Sequence, residues 1–136
     1  MKRRSALSLG FLALTLLVAL PVLAGTYLSR AALLVSGGGR EMSYLRARFS
    51  DKELARVVQR LAEARLDTAA GMTVPKEVTQ AHPHLLLILE NHVQAAEAAT
   101  RGEGEKFNIA VQRALDEERT FRAVLKNHGW TLPDAP

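Results

Sequence analysis

The sequence predicts an all-α protein: an N-terminal membrane-spanning or signal helix, then a small three- to four-helix bundle ending in an antiparallel αα-hairpin. Three observations lead there. A basic cluster precedes a long uncharged run, apolar residues then recur at three and four positions, and almost no segment alternates as a strand does. At 136 residues, one domain after the leader is the expectation.

The cluster is Lys2-Arg3-Arg4, and from Ser5 to Ser29 no residue is charged. A basic flank before an apolar stretch is an export signal whose basic end stays in the cytoplasm. Roughly 20 helical residues cross a bilayer core, so the run is long enough to span. Tyr27 fits the outer interface, and segment 1–35 is read as the anchor. Cleavage after Ala24 is the competing reading, since Val22-Leu23-Ala24 offers the small residues of a signal peptidase site. Both readings place the remaining chain outside the cytoplasm. A pilin-like leader is disfavoured because Thr15 stands where such sequences carry glutamate. No cysteine is present, which excludes disulfides, thiolate sites and lipidation at cysteine.

Ser36-Gly37-Gly38-Gly39 is expected to break the helix and serve as a linker, because consecutive glycines are poor helix formers. It lacks the spacing of a phosphate-binding loop. The bundle is then expected over 40–130, with a tail at 131–136. Within it, Arg40–Phe49 forms a first helical piece with Met42, Leu45 and Phe49 on one side. Ser50-Asp51-Lys52-Glu53 reads as a capping box with Ser50 as the cap. The helix that follows carries a stripe of Leu54, Val57, Val58, Leu61, Ala62, Arg65 and Leu66, and ends near Ala70 with Gly71 as its stop. Thr73–Glu77 begins a short piece that Pro83 limits. Leu85–Thr100 and Lys106–Asn127 are the two strongest helices, joined by about five residues and therefore antiparallel neighbours. Their stripes are Leu85, Leu89, Ala96 and Ala99 facing Phe107, Ala110, Val111, Ala114, Phe121 and Leu125. Small residues near the loop imply close packing there. Trp130 and the helix over 51–70 are expected to cover the open end.

Charge and composition exclude several functions. Without the N-terminal cluster, 15 basic residues face 14 acidic ones, so there is no basic footprint for nucleic acid. All six serines lie at or before Ser50, and no Gly-x-Ser-x-Gly elbow exists. No glutamate has a histidine three residues on, so the four-helix di-iron pattern is missing, as is His-Glu-x-x-His. No catalytic residue and no cofactor are expected.

His82, His84 and His92 remain as metal candidates, with His128 apart. His84 and His92 are about 12 Å apart along one helix, too far to share an ion. His92 continues the apolar stripe and is expected to point inward. Pairing the hairpin about its loop places residue 117 near residue 88 and residue 121 near His84, so a Glu117–His84 contact one turn off is feasible, while an ion pair with an arginine or a side chain reaching solvent is the expectation for Glu117 and Glu118. The stretch Phe49–Leu54 is loosely similar to the helix start of periplasmic helical metal-sensing proteins, but over six residues it is a generic capping box and identifies no family. Two functional expectations follow. The first is a non-catalytic, membrane-tethered, extracytoplasmic interaction module with a protein partner. The alternative is a periplasmic metal or stress sensor, or a chaperone, using His82, His84 or His92.

Overall fold

A computed structural model describes residues 6–136, with side chains from residue 24 onward. Helix α1 is Ala6–Ala47, α2 is Lys52–Ala70, α3 is His82–Thr100 and α4 is Gly104–Asn127, with a single 3₁₀ turn at Lys76–Val78 before α3. There is no strand among the described residues. The helices run up, down, up and down. Lys52 at the start of α2 bonds the Ala99 carbonyl at the end of α3, and His84 near the start of α3 meets Glu117 late in α4. Tyr27 and His82 meet at the opposite end, so α1 and α3 are parallel. α3 packs against all three other helices and is the centre of the bundle.

The buried positions repeat every seven residues, as in coiled-coil bundles. They are Ala24, Ala31 and Leu45 with Leu28, Val35 and Met42 on α1, Ala55, Ala62 and Ala69 on α2, Leu85, His92 and Ala99 on α3, and Phe107, Ala114 and Phe121 on α4. They form two apolar clusters. One joins Tyr27, Leu28, Val35, Leu85, Leu89, Phe121, Leu125 and Leu132 at the end where α1 enters the bundle. The other joins Met42, Leu45, Val58, Ala95, Ala96, Ala99, Phe107 and Ala110 at the α3–α4 turn. Alanines face each other at that turn, as expected. Phe49 closes it, tilted 59° against Phe107 with ring centroids 5.4 Å apart. Trp130 packs on the other cluster, again as expected, and Leu132 is buried beside it.

Local chemistry explains the helix ends. Gly102 and Gly129 adopt φ of 71° and 81°, conformations that a side chain resists. Each closes a Schellman motif: Glu103 N–H donates to the Ala98 carbonyl, and Trp130 N–H donates to that of Leu125. At the start of α2 the cap is Asp51, not Ser50. The Asp51 carboxylate accepts from Leu54 N–H at 3.0 Å while its own backbone is extended. Ser50 is used up in the turn that leaves α1. Gly71 follows α2 at φ −90°, so this helix stops without the left-handed residue expected of a glycine stop. Pro83 sits in the first turn of α3, where its missing N–H is harmless, so α3 begins at His82 rather than Leu85.

Three expectations are overturned. The helix does not break at Ser36-Gly37-Gly38-Gly39; α1 runs straight through, because tertiary contacts made at the glycines outweigh their poor propensity. Tyr27 is not at an interface but only 2% exposed, and one face of α1 from Ala24 on, part of the expected anchor 1–35, lies in the core through Leu28, Ala31, Ala32 and Val35. On α2 the buried face is Ala55, Val58, Ala62 and Ala69, while Val57 and Leu61 face solvent. The close approach of α2 to α3 admits alanines and turns the larger residues outward. Among the described residues no helix is long and apolar enough to cross a membrane. The side chains of the uncharged run up to residue 23, on which the spanning expectation rests, lie outside those described.

The difference between a core side chain of α4 and the outer face of α2 is measurable. Phe121→Ala is expected to destabilise the fold by about 3–5 kcal/mol, as for other buried phenylalanines. Leu61→Ala, on a residue 44% exposed, is expected to stay within about 0.5 kcal/mol. Urea unfolding of both variants checks this.

Candidate functional site

Gly38 falls where the seven-residue repeat of α1 calls for a core side chain, and His92 holds the corresponding position on α3. The two meet. A Cβ built on Gly38 would stand 2.3 Å from His92 Nδ1 and 2.7 Å from Cε1, closer than atoms can approach. The imidazole therefore occupies the space that the side chain of any other residue would fill. His92 is 5% exposed, and its Nδ1 is buried with no hydrogen-bond partner. This histidine separates the two apolar clusters.

The neighbouring turns complete a polar layer. Arg65 on α2 lies across Gly37, its Nη2 3.1 Å from where a Cβ would be. Its guanidinium grips Glu41 of α1 with two hydrogen bonds, one to Oε1 at 2.6 Å and the other to Oε2. Both side chains are largely shielded, at 21% and 13% exposed. The fork geometry suits a planar guanidinium and carboxylate, and it ties α1 to α2 one turn from the point where α1 meets α3. Burial, and then the positive charge of Arg65, push the His92 pKa down to about 4. The ring is neutral at neutral pH.

The other candidate histidines have separate partners. His82 Nδ1 and the Tyr27 hydroxyl share a hydrogen bond of 2.9 Å, and burial lowers the His82 pKa below its ordinary value. His84 Nδ1 and Glu117 Oε2 are 2.9 Å apart, a contact one turn off the simple hairpin register and not the arginine pair or solvated side chain expected of Glu117. Glu118 pairs with Arg122 one turn on, as expected. His128 is exposed and bonds the Val124 carbonyl. The structure thus spreads His82, His84 and His92 over three unrelated contacts. Among the described residues no group of three His, Cys, Asp or Glu side chains is arranged to hold a metal ion. What the layer does chemically is hold a neutral, unpartnered ring nitrogen inside a helix crossing. Helical spacing placed His92 inward, but it did not reveal Gly37, Gly38, Glu41 and Arg65 as its companions. The signal was present in the seven-residue series Ala24, Ala31, Gly38 and Leu45, in which a glycine stands among core residues.

Two predictions follow from the layer. Glycine to alanine within a helix ordinarily stabilises by roughly 0.5–1 kcal/mol. Gly39→Ala, with nothing within 4 Å of the added carbon, is expected to do so, whereas Gly38→Ala is expected to destabilise by about 1–3 kcal/mol through overpacking. Urea unfolding of the pair gives opposite signs. The second concerns acid. A histidine whose folded pKa lies below its unfolded 6.5 contributes full stability above pH 6.5 and loses it as pH falls toward 4. Between those limits the loss is on the order of 3 kcal/mol. Unfolding at pH 7 and pH 4.5 checks it, and His92→Met is expected to abolish most of this difference.

Searches for similar proteins found no matching family model, no curated protein and no solved structure that resembles the chain.

Proposed function

We propose that the chain is a membrane-tethered, extracytoplasmic helical interaction module, an accessory subunit of a membrane complex that does no chemistry of its own. It crosses the inner membrane once, with Lys2-Arg3-Arg4 on the cytoplasmic side. The observation that carries the reading is the uncharged run behind that cluster, set on the helix that continues into the bundle. Among the residues whose side chains are described, α1 contributes to the core from Ala24 to Leu45, and on this reading the uncharged residues 6–23 lie in the bilayer. At 1.5 Å per residue this stretch is about 27 Å, close to a hydrocarbon thickness of about 30 Å. With no break at the glycines, the bundle stands on the membrane surface rather than hanging from a flexible tether.

The outer face of α2 supports a protein partner. Alanines face inward on this helix, while Val57 and Leu61, one turn apart, are 48% and 44% exposed. On α4, Ile109 and Leu115 are exposed as well. A helix that turns its larger apolar residues to solvent is suited to being covered by another protein. Nucleic acid has no part in this reading, because charge on the bundle is balanced.

Membrane fractionation followed by intact mass and a pull-down tests the proposal. The full-chain mass in the membrane pellet, with a stoichiometric partner that Leu61→Asp releases, is the expected result. A soluble species beginning at Gly25 would overturn the tether, and a full-length membrane protein with no partner at native expression would overturn the module.

A further inference from the structure

We propose that His92 is an acid-responsive release for α1: protonating the ring in its Gly38 cradle frees α1 from the core formed by α2, α3 and α4. The inference rests on the packing and is independent of the membrane reading.

An imidazolium must donate from both nitrogens, and Nδ1 of His92 is buried with no acceptor in reach. Every side that faces the ring is either bare or already committed. On α1 it meets Gly37 and Gly38, which carry no side chain, and Glu41 one turn on is held by Arg65. On α2 the charged neighbour is Arg65, whose positive charge opposes a second cation. On α4, counting back from the His84–Glu117 contact puts the turn around residue 109 at this level. There the buried residues are Phe107, Ala110, Val111 and Ala114, all apolar, and the charged Lys106 and Arg113 of the adjacent turns are exposed. On α3 itself Glu90 is exposed and Glu97 lies more than one turn away. A charged His92 therefore has no counter-ion unless Glu41 leaves Arg65 or water enters the layer.

Both outcomes separate the same surface. Glu41 can turn to His92 only by abandoning the bond that ties α1 to α2, and water can reach Nδ1 only by lifting Gly38 from the ring. Among the described residues α1 also shares less contact surface with its neighbours than α3 shares with α4 or with α2. Burial and Arg65 hold the ring neutral down to about pH 4, so the closed form is the state at neutral pH. Acid would then open the layer locally, with the α3–α4 hairpin intact.

Hydrogen exchange of the full chain in detergent, between pH 7.5 and 4 and corrected for intrinsic rates, reads this directly. The α1 amides over 35–45 are expected to lose at least tenfold protection at the acid end while those over 88–99 and 107–121 keep theirs. His92→Met, an unbranched and non-titrating replacement, is expected to leave α1 protection flat over the same range. In the wild type, the His92 imidazole followed by NMR is expected to titrate in step with α1 opening. Loss of protection in all four helices together would overturn the proposal, as would constant protection of α1. Opening of α1 in His92→Met at the wild-type pH would also overturn it and point instead to protonation of Glu41. Should that variant not fold, the wild-type titration still decides: an imidazole that titrates apart from α1 opening refutes the release.

Discussion

The bundle depends on one close contact, the passage of α1 over the His92 ring at a residue with no side chain. In a seven-residue repeat each core position must carry something that fills the layer. Gly38 carries nothing, and the imidazole of α3 takes the vacated space. The consequences extend to both neighbours. Arg65 lies along the adjacent Gly37 and fastens Glu41, so α1 is fixed to α2 and to α3 within two turns. Close approach also explains why α1 stays helical through three consecutive glycines. Unfavourable propensity of roughly 1 kcal/mol per glycine is offset by a contact that a larger residue would prevent.

The same economy of space shapes the rest of the core. Buried alanines on α2, α3 and α4 bring those helices close at the α3–α4 turn, where Phe49 and Phe107 close the cluster, and Tyr27, Phe121, leucines and the tail fill the end where α1 enters the bundle. Lys52 links the two kinds of order. It bonds the Ala99 carbonyl at the end of α3, which also accepts from Gly102 N–H, and its ammonium lies 5.3 Å from the Phe49 ring that closes the apolar cluster. A neutral histidine with an unpartnered Nδ1 between two well-packed clusters is a costly feature in a small domain, since a buried polar atom without a partner is destabilising by about 1–3 kcal/mol. Its position at the joint between α1 and the remaining helices makes it the place where a small change in charge has the largest structural effect.

The functional reading joins two separate lines. The uncharged run and its basic flank speak to location, and the outward-facing Val57 and Leu61 speak to a partner. No catalytic constellation is needed for either. A continuous α1 would connect them mechanically, because whatever holds its first turns also holds the helix that carries Gly38.

Much of the fold was legible in the residues. Helical spacing identified α2, α3 and α4, the glycines after α3 and α4 marked their ends, and the short loop was enough to make α3 and α4 antiparallel neighbours. These features are local, or follow from a short connection, and so depend on chemistry within a few turns. Three matters were decided only by tertiary structure. Gly37 and Gly38 read as a break in isolation, because propensity counts the entropy a glycine loses and not the neighbour it admits. Val57 and Leu61 read as core, because periodicity finds a face without saying how near the next helix comes. His92 read as inward, but its cradle, its orphaned nitrogen and its cationic neighbour come from α1 and α2, far away in the chain. The sequence by itself determined which segments are helices and where most of them stop. The packing distance between helices decided which of their faces became the core, since only assembly sets how much room a side chain has.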